Sequence, residues 1–177
     1  MYLIIKTAGS ALVAAGSLLI GRKVKAQYKM RCEILKDMQE ALKYADDTIT
    51  IENTLLDNVL RDCALKFFEK EKGKDIWSRA AENLKTEFGS FENAWTKACA
   101  EYFEGTACFN EREKECITDI GKAIGIANTQ RQTAHVTSTL QRLGELEKKA
   151  ITAEAKEGKN AIKIAMAIAA CVIIMLF

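Results

Sequence analysis

Six cysteines and one histidine are the side chains of this 177-residue sequence that most invite metal or nucleophilic chemistry. A zinc ion needs three or four thiolate and imidazole donors, and Cys99, Cys108, Cys116 and His135 are the set that could supply them. Zinc sites, however, usually show closely paired ligands, and no C-x-x-C spacing joins any of Cys32, Cys63, Cys99, Cys108, Cys116 and Cys171. Small buried apolar residues are the better account of them, as free thiols in a reducing compartment. His135 sits among Thr133, Ala134 and Thr137 with no carboxylate or cysteine beside it, which favours a polar helix residue over a general base. No GxxxxGK[ST] or GxGxxG run is present, so nucleotide chemistry would have to come from a partner. We therefore expect no catalysis, no cofactor, no metal and no small-molecule substrate.

The elements that must position such residues begin at the two ends. Leu12 to Ile20 and Ile164 to Phe177 are apolar, and each is bordered on its inner side by lysines or arginines. They predict an N-terminal transmembrane anchor over residues 1–21 and a C-terminal one over 161–177, around a helical domain at 22–160. Both stretches are short. Ala161 to Phe177 covers roughly 26 Å at about 1.5 Å per residue, so Lys163, and Lys6 at the other end, must snorkel toward the headgroups. A cleaved signal peptide fits less well, because GRKVK follows the first apolar stretch at once. Arg22, Lys23, Lys25, Lys29 and Arg31 flank one anchor, and Lys148, Lys149, Lys156, Lys159 and Lys163 the other. The positive-inside rule then keeps the middle domain cytoplasmic and sends both termini out.

With no proline, and strand-like alternation confined to Thr48 to Ile51, the domain is expected to be an all-α helical bundle. Its net charge of +2 argues against a nucleic-acid surface. Leu35, Met38, Leu42 and Ala45 make one helical stripe ending near Asp46 and Asp47. Asn53 or Thr54 can cap a second helix that stops at Gly73, and a third fits Ile76 to Lys85. Ser90 can cap a fourth from Phe91 to about Phe103. Asn110 and Glu113 form a variant capping box for a fifth from Glu111 to Ala123. Gly125 is expected to adopt a left-handed conformation and Asn128 to cap a last helix running into the membrane, its apolar stripe including Val136, Leu140, Leu143 and Ala150. Trp95 is the stronger core anchor of the two tryptophans, since Phe91, Cys99 and Tyr102 share its face. Ala161, Ala165 and Ala169 with Gly9, Ser10, Ala14 and Gly16 would let the anchors approach closely.

The sequence resembles the stage III sporulation protein AB family of endospore-forming bacteria. FENAW at Phe91 to Trp95, EREKECITDIGKAIG at Glu111 to Gly125, and Gln132 carry the resemblance, and the plan of anchor, helical domain and anchor matches end to end. The family usually has an aspartate near the position of Asn128 and often a proline where Asn53 and Thr54 stand here. The resemblance implies a likeness to the cytoplasmic helical domain of the inner-membrane platform protein of type II secretion and type IV pilus machines. It also implies a mother-cell complex in the membrane facing the forespore, with a secretion-type ATPase and other membrane proteins as partners. Trp95, Gly121, Gly125, Asn128 and Gln132 are its signature. Their expected work is packing and helix termination: Trp95 in the core, Gly121 and Gly125 at a close approach and turn, Asn128 as a cap, Gln132 bonding across that turn. A partner-binding surface made of the same residues is the sharper alternative. The reading is a non-catalytic structural adaptor of a sporulation channel; the competing one is a two-anchor scaffold or signalling protein whose long helices dimerise.

Overall fold

The computed structural model describes the backbone of residues 2–52, 54–71, 73–86, 90–125 and 129–176, with side chains from residue 9 onward except 129, 130 and 176. Every regular element among the described residues is helical: α1 (Tyr2–Thr50), α2 (Leu56–Phe67), α3 (Ile76–Thr86), α4 (Phe91–Gly105), α5 (Glu111–Ile124), α6 (Thr129–Ala153) and α7 (Lys159–Leu176). A short 3₁₀ turn at Glu69–Glu71 follows α2, and a π-helical turn at Glu154–Gly158 joins α6 to α7. The chain divides into two compact units, Glu33–Glu147 and the pair of terminal segments Met1–Cys32 with Lys148–Phe177.

In the Glu33–Glu147 unit the α1 stripe is fully buried: Leu35, Met38, Leu42 and Ala45 have no exposed surface. Val59, Leu60 and Cys63 of α2, Trp77 of α3, Trp95 of α4, Ile117 and Ile120 of α5, and Leu143 of α6 complete the core. Helix starts follow local chemistry. Ser90 Oγ accepts from the Asn93 amide, and at Asn110 both halves of the capping box form, each at 3.0 Å. Such caps satisfy amides that the first helical turn leaves without a partner.

Several boundaries differ from expectation. Helix α1 runs on to Thr50 because Thr48 is buried and the following amides of Ile51 and Glu52 still bond back to Asp47 and Thr48. Leu55, not Thr54, stands at the start of α2 and offers no side-chain cap; Asp57 in the first turn supplies the favourable negative charge instead. Asn53 lies outside the described residues. Helix α2 ends at Phe67, before the lysine-rich run, although Gly73 does take a left-handed turn at φ 78°. Asp75 begins α3, its carboxylate accepting from the Ser78 amide and hydroxyl at 2.9 and 2.7 Å.

In the terminal unit α1 and α7 lie antiparallel. Gly21 makes the close approach: a methyl there would meet Ile162 Cα at 3.0 Å and Ala165 Cβ at 3.2 Å. Gly9 and Gly16 face open space, so the expected contact at those two glycines is not made. Large apolar residues stand exposed on both helices, among them Leu12 (74%), Leu19, Ile164, Ile168 and Ile174 (75%). Among the described residues one helix is long and apolar enough to cross a membrane, Arg131–Met175. Its apolar end, α7, covers about 27 Å, close to a hydrocarbon core of about 30 Å. The Lys6 side chain lies outside the described residues.

Candidate functional site

Three of the five signature residues meet at one joint between α4 and α5. Trp95 is completely buried, and its indole Nε1–H donates to the Ile117 carbonyl at 2.9 Å. The edge of Trp77 meets it with ring centroids 4.8 Å apart at 74°, and Phe91 lies at 5.8 Å. Edge-to-face packing of this kind adds to the burial itself. Gly121 sits directly against the indole, where a methyl would fall 2.7 to 2.9 Å from Cδ1, Cγ and Cβ of Trp95. The α5 backbone therefore rests on the tryptophan, and a glycine is what permits it.

Gly125 follows α5 with φ −75° and ψ 2°, donating its amide to the Gly121 carbonyl, so the expected left-handed turn is not what it makes. Its hydrogen faces the Gly121 oxygen and the Phe91 ring instead. Asn128 lies outside the described residues. Gln132 is buried, and its Nε2 donates to Asp46 Oδ1 at 3.4 Å, tying α6 to α1; residues 126–128, the turn across which a bond is expected, lie outside the described residues. Gln39 likewise joins α1 to α6, its Nε2 donating to Glu147 Oε2 at 2.7 Å.

The buried thiols of Cys63, Cys99 and Cys116 stay protonated at neutral pH. Burial pushes Cys99 up to about 12 and Cys116 to about 11, and raises Cys63 as well, whose Sγ donates to the Ala41 carbonyl. His135 is exposed. Among the described residues no group of three or more His, Cys, Asp or Glu side chains could hold a metal ion.

The carboxylates give the Glu33–Glu147 unit a characteristic pH response. Burial raises Asp37, Asp46 and Glu71 above their ordinary values, with partial relief at Asp46 from Gln132 and at Glu71 from the Tyr102 hydroxyl. Asp119 goes the other way: burial lifts it, but bonds from Arg142 at 2.8 Å and Lys122 at 3.0 Å outweigh that and hold it low. A raised carboxyl opposes folding while ionised, so stability should rise as pH falls through the raised values toward the ordinary 3.8 of aspartate and 4.5 of glutamate. The Asp119 contribution is present above 3.8 and is lost as pH falls through its depressed value. Urea unfolding across this range should show a maximum on the acid side of neutral. Asp46→Asn, which keeps an oxygen for Gln132, should raise stability at pH 7 and flatten that maximum.

No curated protein and no solved structure matches the sequence. The family model for stage III sporulation protein AB matches residues 6–177, which takes in both apolar ends, the Trp95 and Gly121 joint and Gln132. The chain belongs to the stage III sporulation protein AB family, and its role is in sporulation.

Proposed function

We propose that this protein is a non-catalytic adaptor of a sporulation channel, anchored by both ends in the mother-cell membrane that faces the forespore. Its helical body then lies in the cytoplasm and couples a secretion-type ATPase to a membrane ring, in the manner of a type II secretion platform protein. The observation that carries the reading is the exposure of large apolar residues on both helices of the terminal unit, Leu12 and Leu19 on α1 and Ile164, Ile168 and Ile174 on α7. Water does not tolerate such a contiguous apolar surface without a cover, and lipid is the cover that suits two antiparallel helices flanked by lysines. Helices α1 and α6 each have residues in both units, which suits a body that passes work from a soluble motor to a membrane.

The test joins topology to partnership. Reporters inserted near Gly73 and Gly105 should behave as cytoplasmic and one after Phe177 as extracytoplasmic. The membrane-embedded chain should capture the ATPase encoded alongside it more tightly than the same chain dispersed in detergent, because ring display adds multivalency to a small interface. Charge reversal at Lys148 with Lys149 should weaken capture and leave thermal unfolding within about 0.5 kcal/mol. An external signal from the Gly73 fusion would overturn the topology. Absence of capture from membranes, with normal spores in a deletion strain, would overturn the adaptor.

A further inference from the structure

The terminal unit contains a groove of about 510 Å³ between α1 and the π turn and α7. That volume lies within the range of sites that hold a small ligand. Its lining changes character along its length. At one end it is apolar, with Ile20, Val24, Ile164 and Ile168 as walls and Gly21 and Ala165 as floor. At the other end stand Tyr28, Lys156, Glu157 and Asn160. From Ser17 to Tyr28 the helix advances roughly 17 Å and leaves the anchor at Gly21, so the groove straddles the edge of the hydrocarbon core, where the headgroups begin.

We propose that this groove binds one anionic phospholipid of the cytoplasmic leaflet, with an acyl chain along the Val24 and Ile164 walls and the phosphate at Lys156 and Asn160. The inference rests on the reading that both terminal helices lie in the membrane. The polar end decides the occupant. Lys156 and Glu157 line it, Lys25 and Glu154 stand beside Gly158 next to it, and Lys159 follows in the chain. The Tyr28 hydroxyl donates to Glu157 Oε2 at 2.7 Å, which holds that carboxylate against α1. Lys156 makes no ion pair among the described residues, so its ammonium can meet an anion. A transmembrane helix from a partner would present apolar side chains along the full depth and leave Lys156 and Asn160 unmatched. An amphiphile with an anionic head matches both ends, and the cytoplasmic leaflet is where such lipids attract basic segments.

The full-length protein, extracted from membranes in mild detergent and exposed to phosphatidylglycerol or phosphatidylcholine, should retain about one phosphatidylglycerol per chain by native mass spectrometry and little phosphatidylcholine. Lys156→Gln should lower retention about fivefold, the effect of losing one basic residue at a membrane surface. Val24→Trp, which fills the apolar wall, should abolish it while circular dichroism stays unchanged. Equal retention of the two lipids would overturn the proposal, as would undiminished retention in Lys156→Gln or a second copy of the chain found cross-linked within the groove. A chain that sediments with membranes yet retains neither lipid overturns this inference alone. A chain found in the soluble fraction overturns the membrane reading, and this inference with it.

Discussion

Replacing Trp95 with alanine is expected to lower the stability of the helical body by about 3 to 5 kcal/mol, the cost of deleting a large buried aromatic side chain. The ring has no exposed surface, so its removal opens a cavity bounded by Trp77, Phe91 and the α5 backbone, which the rigid elements around it cannot close. The bond from the indole to the Ile117 carbonyl is lost with it. Domains of ordinary stability have about 5 to 15 kcal/mol in all, so the loss is a large share of the total. In thermal unfolding of the full chain in detergent, the midpoint should fall by roughly 10 °C or more. Trp77, the other of the two tryptophans, remains as the fluorescent probe. An unchanged midpoint would show that the ring contributes nothing to the core and would return Trp95 to the list of partner-binding residues.

The success of the sequence at this joint and its failure elsewhere have a common cause, which is the range over which each interaction acts. The caps at Ser90 and Asn110 join residues three apart, so residue types at fixed spacing announce them. The α1 stripe and the Trp95 face are written in helical periodicity and could be read in the same way. Asp75 is equally local, with Ser78 three residues on, though the reading of a helix over Ile76 to Lys85 assigns that helix no cap.

Long-range partners left no such trace. Gln132 finds Asp46, 86 positions away, and Gly21 rather than Gly9 or Gly16 meets the α7 backbone. Which small residue makes a contact depends on how each helix is rotated about its axis, and composition carries no information about rotation. Gly125 shows a further limit. Glycine permits a left-handed turn without requiring one, and here its lack of a side chain serves a close approach to the Gly121 carbonyl. The pairing of Trp95 with Gly121 shares this long-range character, yet both positions stood out in the resemblance to the family.

Gly121→Ala is the sharper probe of that pairing, because its expected sign opposes the usual one. In the interior of a helix alanine is favoured over glycine by about 1 kcal/mol. At Gly121 the new methyl would lie 2.7 Å from Trp95 Cδ1 and 2.9 Å from its Cβ, atoms near the root of a side chain that Trp77, Phe91 and the Ile117 carbonyl already hold. Neither the indole nor α5 can yield without loosening those contacts, and overpacking of this kind costs about 1 to 3 kcal/mol. The single substitution should therefore destabilise on balance. In the Trp95→Ala background the obstruction is gone, and the same substitution should turn neutral or stabilising by about 1 kcal/mol. Gly105→Ala, at the end of α4 with nothing within 4 Å of the new methyl, is the control and should be tolerated in either background. Additive effects of Gly121→Ala and Trp95→Ala would mean that the two residues are not in contact; a reversal of sign ties the α4 and α5 helices together through that one indole.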